Sequence, residues 1–102
     1  MTLTELFTAI KEENLSRGQL ESYEQHLASL YAEYMIEIGS LKKERALYFL
    51  ERQKPDVTDV SIRRLWDAGT NGQRLIELEA NVKAVSRMLS SVKSRIYQTP
   101  NY

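Results

Sequence analysis

The sequence predicts an all-α fold, with a short N-terminal helix followed by a long antiparallel helical hairpin that oligomerises through coiled-coil-like packing. Three observations lead there. Apolar residues recur at three- and four-residue steps along most of the 102 positions, only four Gly and two Pro interrupt them, and Lys54-Pro55-Asp56 divides two long periodic stretches. A chain of 11.8 kDa has room for one α-helical domain over residues 1–102 and for no second unit with its own core.

Helix one is predicted over about residues 2–13. Thr2 can cap it while Glu5, three residues on, reciprocates, and Leu3, Leu6, Phe7 and Ile10 fall on one face. Asn14-Leu15-Ser16 reads as a connector, with Ser16 and Gln19 forming a second capping box. Helix two then runs over about residues 17–53, until Pro55 stops it. Its seam is Leu20, Tyr23, Leu27, Leu30, Tyr34, Ile38, Leu41 and Tyr48, with one extra four-residue step near Ile38. Helix three is predicted over about residues 57–98, ending before Thr99-Pro100. Leu75, Leu78, Val82, Val85, Leu89, Val92 and Ile96 alternate steps of three and four, and Ile62, Leu65 and Ala68 extend that seam upstream if the helix is continuous. Ala68-Gly69-Thr70-Asn71-Gly72 is its weak point, where two glycines favour a kink or a break. The apolar flank left over at Tyr31, Met35, Phe49, Trp66 and Met88 predicts a homo-oligomer; a monomer with helix one folded back over that flank is the alternative.

Fourteen Lys and Arg balance fourteen Asp and Glu, yet the sequence is asymmetric. Residues 1–40 carry two bases against seven acids, a net of −5, and residues 41–102 carry twelve against seven, a net of +5. Such a dipole suits a polyanion at one end, or head-to-tail association of copies; clustering without a function is the plain alternative. No cysteine is present, which excludes disulfide scaffolds and thiol catalysis. The N-terminus lacks the basic and apolar regions of a signal peptide, and no apolar run approaches a membrane span, so a cytoplasmic protein with no membrane partner is expected.

Catalytic chemistry finds little support. His26 is the only histidine and falls on the hydrated side of helix two beside Glu24. Glu33 and Glu37 lie one turn apart without a matching ligand pair, and Gly69-Thr70-Asn71-Gly72 lacks the Lys-Ser/Thr ending of a phosphate loop. The expectation is a non-enzyme without metal or cofactor. What remains is a basic surface around the bend. Lys42, Lys43, Arg45, Arg52 and Lys54 precede or meet it, and Arg63, Arg64 and Arg74 follow, so a U-turn at Pro55 sets residues 42–54 beside 63–74 as a track for a phosphate backbone. Tyr48, Trp66 and Tyr97 are candidate base-stacking faces, against the commoner role of aromatics as core.

The order of a short helix and a helical hairpin, with Leu30-Tyr31 through Gly39-Ser40-Leu41-Lys42-Lys43-Glu44 in the first arm and Leu89-Ser90-Ser91-Val92-Lys93-Ser94-Arg95-Ile96 in the tail, resembles the UvsY-type recombination mediators of tailed phages. The matched words are short, and Pro55-Asp56 ends the first arm earlier than the family's longer basic segment would. The resemblance implies a small helical oligomer that binds single-stranded DNA, engages a recombinase and a single-strand-binding protein, and helps load the recombinase. It makes Lys42, Lys43, Lys93 and Arg95 candidate phosphate contacts, beside Arg45, Arg52, Lys54, Arg63 and Arg64 from charge layout. The acidic Glu12, Glu13, Glu21 and Glu24 become a protein-binding surface. Two other readings stand beside this one: a phage-encoded inhibitor or adaptor that binds a host protein through its acidic helical surface, and a purely structural coiled-coil adaptor.

Overall fold

Side-chain caps start three of four helices. The computed structural model describes residues 1–99; they form α1 (Leu3–Ile10), α2 (Arg17–Arg52), α3 (Asp59–Ala68) and α4 (Thr70–Gln98), with no strand among them. Pro100, expected to follow the last helix, lies outside the described residues. At α1 the Thr2 hydroxyl accepts from the Glu5 backbone N–H at 3.1 Å and donates to the Glu5 carboxylate at 3.2 Å, so Glu5 answers through the hydroxyl. At α2 the capping box is complete: Gln19 N–H donates to Ser16 Oγ at 3.1 Å, and Ser16 N–H donates to Gln19 Oε1 at 2.9 Å. Thr58 caps α3, accepting from Ser61 N–H at 3.2 Å.

One boundary differs from expectation, and the third helix breaks at the weak point that the sequence marked. Helix α1 ends at Ile10 rather than near Glu13, its last turn tightening into bonds from Lys11 N–H to Thr8 O and from Glu12 N–H to Ala9 O, each 3.3 Å. Residues 11–14 carry no apolar side chain to bury, and the Glu12-Glu13 pair faces the negative end of the helix dipole. The predicted third helix is two helices. Gly69 is extended (φ −80°, ψ 168°) and separates α3 from α4. The loose ends are satisfied locally: Gln73 Nε2 donates to Asp67 O at 2.5 Å, and Gln73 N–H donates to Gly69 O at 3.0 Å.

This break rotates α3 relative to the seam of α4. Trp66 is buried in place of the expected Leu65 and Ala68, both of which are exposed. The corner depends on Gly72. A Cβ there would stand 2.6 Å from the Trp66 carbonyl carbon, 2.8 Å from Asp67 Cα and closer still to Trp66 O, whereas a Cβ at Gly69 would meet Trp66 O at 3.4 Å. Upstream, Lys54 O accepts from Val57 N–H at 3.0 Å, closing a turn with Pro55 in the position that its fixed φ suits.

Tertiary contacts divide the chain into two compact units, Met1–Glu33 with Val82–Tyr102, and Tyr34–Asn81. In the first, Leu6, Ile10, Leu15, Leu20 and Leu27 are buried together with Val85, Met88 and Val92. In the second the core is Ile38, Leu41, Ile62, Trp66, Leu75 and Leu78. Here α2 and α4 run antiparallel, since Glu37 meets Arg74 while Glu44 meets Asn71. The expected apolar flank is therefore smaller. Trp66 is packed against Tyr48, and Met88 lies beside Phe7 and Ile10 of α1, so both are covered within the chain; Tyr31 and Met35 remain exposed.

The units also redistribute the charge asymmetry of the sequence. Each is neutral, with six Lys and Arg against six Asp and Glu in the first and eight against eight in the second. The acidic N-terminal stretch shares its unit with the basic tail, so the imbalance expected from the linear count leaves neither unit with a net charge.

Candidate nucleic-acid interface

In the unit Tyr34–Asn81, Lys42, Arg45, Ala46 and Phe49 recur at i, i+3, i+4 and i+7 and so share one face of α2. The turn at Pro55 brings α3 back alongside, and Arg63 completes an open hollow of about 380 Å³ with those four residues. No acidic residue lines it. Among the described residues neither Lys42 nor Arg45 forms an ion pair, and Arg63 reaches Asp67 only at 3.8 Å, in an exposed pair of little strength. Arg45 and Phe49 are half-buried and Lys42 is exposed. Three cationic side chains thus line a partly apolar hollow with no carboxylate among the lining residues.

The remaining cations of the bend are elsewhere. Lys43 is exposed on a neighbouring face of α2, seven residues after Ile36 and four before Leu47. Arg52 has its guanidinium 3.5 Å from the centroid of the Tyr48 ring and 3.7 Å from the Glu51 carboxylate. Lys54 and Arg64 are exposed outside the hollow. Arg74 is committed to carboxylates: it holds Glu37 through two bonds, of 2.6 and 3.1 Å, and Glu77 through a third of 3.1 Å. The hydrogen bonds from Arg74 hold the Glu37 carboxyl below its ordinary value against the opposing effect of partial desolvation, and the same contact raises Arg74.

Lys93 and Arg95 belong to the other unit. Lys93 is exposed, but Arg95 is engaged in the fold: its guanidinium donates to Ile10 O and, at 2.7 Å, to Glu12 O. It supplies the cation that the C-terminus of α1 lacks in its own last turn. In the same unit Glu21 pairs with Arg17 at 3.1 Å, while the carboxylates of Glu12, Glu13 and Glu24 have no ion-pair partner among the described residues.

The aromatic candidates fare differently from one another. Trp66 is core, edge-on to Tyr48 with ring centroids 5.4 Å apart, and Tyr48 is covered in turn by Arg52. Tyr97 is exposed and belongs to the unit that does not hold the basic hollow. Phe49, read from the sequence only as part of the leftover apolar flank, is the aromatic residue that lines the hollow with the cations. Its place seven residues after Lys42 and four after Arg45 was the pattern that could have revealed it.

Among the described residues no group of three or more His, Asp or Glu could hold a metal ion, and no helix is long and apolar enough to cross a membrane. No protein-family model, curated protein or solved structure matches the chain.

Proposed function

We propose that this chain is a single-stranded-DNA-binding accessory protein of recombination, which helps load a recombinase by non-covalent bridging between the strand, the recombinase and a single-strand-binding protein. The observation that carries the reading is the hollow at Lys42, Arg45 and Arg63, where three cations converge without a carboxylate among the lining residues. The UvsY-type resemblance supplies the recombination context. Arg95, tied to α1, leaves the set of candidate contacts, and Lys43, Arg52, Lys54 and Arg64 become peripheral ones around the hollow.

Oligomerisation belongs to the same proposal. Ile36, Leu47 and Leu50 are more than half exposed and lie three turns and one turn apart along α2, a strip that a second copy would cover. Sedimentation of Ile36→Glu beside the unchanged protein checks this, the variant being expected to run as monomer.

Fluorescence anisotropy with labelled oligo-dT tests the binding itself. Three phosphate contacts give a slope of log affinity against log salt of about −2 for a single strand. Micromolar protein without salt-sensitive binding removes the proposal. The unpaired carboxylates of Glu12, Glu13 and Glu24 support a second reading, an inhibitor or adaptor docking on a basic host protein. In that case neutralising them abolishes activity and changes at Lys42 and Arg63 leave it intact.

A further inference from the structure

The geometry points to a single-nucleotide site in the hollow of the unit Tyr34–Asn81: one phosphate held among Lys42, Arg45 and Arg63, and its base laid against Phe49. This rests on the reading of the chain as a single-strand binder and specifies which part of the strand each side chain takes.

Four features carry it. The cavity, about 380 Å³, falls within the range of small-ligand sites. Its cations come from two helices that the turn between α2 and α3 sets side by side. Phe49 sits one turn beyond Arg45 and is only half-buried, which leaves apolar ring surface beside the anion-binding groups. Both Trp66 and Tyr48 are occupied by packing, so within this unit Phe49 is the aromatic side chain available to a base at the basic cluster. A peptide of acidic residues alone would satisfy the charges and leave the ring unused; a nucleotide uses both. Base stacking on an aromatic is tolerant of sequence, so such a site grips a strand without reading it.

The test compares oligo-dT with an abasic deoxyribose-phosphate oligomer of equal length, and adds thymidine monophosphate and an acidic peptide as further arms. NMR of the full chain follows the Phe49 ring, and anisotropy follows affinity. The expected result is oligo-dT bound about tenfold more tightly than the abasic strand, with the Phe49 ring resonances shifted by oligo-dT and by the monophosphate. Phe49→Leu is expected to erase that difference while keeping the salt slope; Lys42→Ala with Arg63→Ala is expected to weaken both strands and flatten the slope. The comparison on the unchanged protein stands even if a variant fails to fold. Equal affinity for the two strands with an undisturbed Phe49 overturns the nucleotide site but leaves phosphate binding in place. Binding of neither strand overturns both. Preference for the acidic peptide, or for the free monophosphate with no binding of a strand, likewise overturns a site built for one unit of a polymer.

Discussion

The two units carry equal balances of charge and use them differently. In Met1–Glu33 with Val82–Tyr102, Arg95 is turned onto the backbone carbonyls of Ile10 and Glu12 and Lys11 lies 4.0 Å from the centroid of the Phe7 ring, while Lys93 stays exposed. In Tyr34–Asn81, Arg74 alone is strongly committed to carboxylates, and Lys42, Arg45 and Arg63 gather on an open surface. Net charge therefore says little about where a polyanion would bind. What matters is which cations the fold has already used.

The comparison is most easily broken at the α3–α4 corner, which positions Arg63 through α3. Gly72→Ala drives a methyl group into the Trp66 backbone and is expected to lower stability by about 3 kcal/mol, read by urea denaturation. Gly69→Ala, with ordinary φ and only a close contact to Trp66 O, is expected to change it by less than about 0.5 kcal/mol. Equal effects at the two glycines would show that the corner does not depend on close approach.

In the other unit, Arg95→Met leaves the α1 carbonyls without their charged donor and is expected to cost about 1–2 kcal/mol. Amide exchange should show the loss in α1 while α3 keeps its protection. A loss of DNA affinity in this variant, with α1 protection unchanged, would instead return Arg95 to the strand-binding set.

The smallest effect concerns Glu37. Because Arg74 depresses its carboxyl, the pair contributes stability that is fully present above the ordinary glutamate pKa and is lost as pH falls through the lower, folded value. Thermal melts of Glu37→Gln against the unchanged protein should differ at neutral pH and converge in acid below the ordinary glutamate range. A difference that stays constant with pH would assign the effect to packing rather than charge.

The helical plan was legible because periodicity and caps are local. The seam of α2 from Leu20 to Tyr48, the seam of α4 from Leu75 to Ile96 and the Ser16–Gln19 box all depend on residues a few positions apart. The rotation at Gly69 was not legible in its consequence: a continuous helix puts Leu65 on the seam, and one extended residue gives that place to Trp66. The candidate site shows the same division. Lys42 and Arg63 could be set side by side from the Pro55 bend, but the diversion of Arg95 to α1 links residues without any periodic relation, and nothing in the local pattern announces it.

The partners of Arg95 lie 85 and 83 positions earlier in the chain. During synthesis α1 leaves the ribosome long before the guanidinium that fastens it exists, whereas the corner at Gly69 closes between neighbours. Loop-closure entropy favours the near contact over the distant one. The earliest of the four helices is thus fastened later than the corner, and until then Ile10 O and Glu12 O lack the guanidinium that serves them in the folded chain.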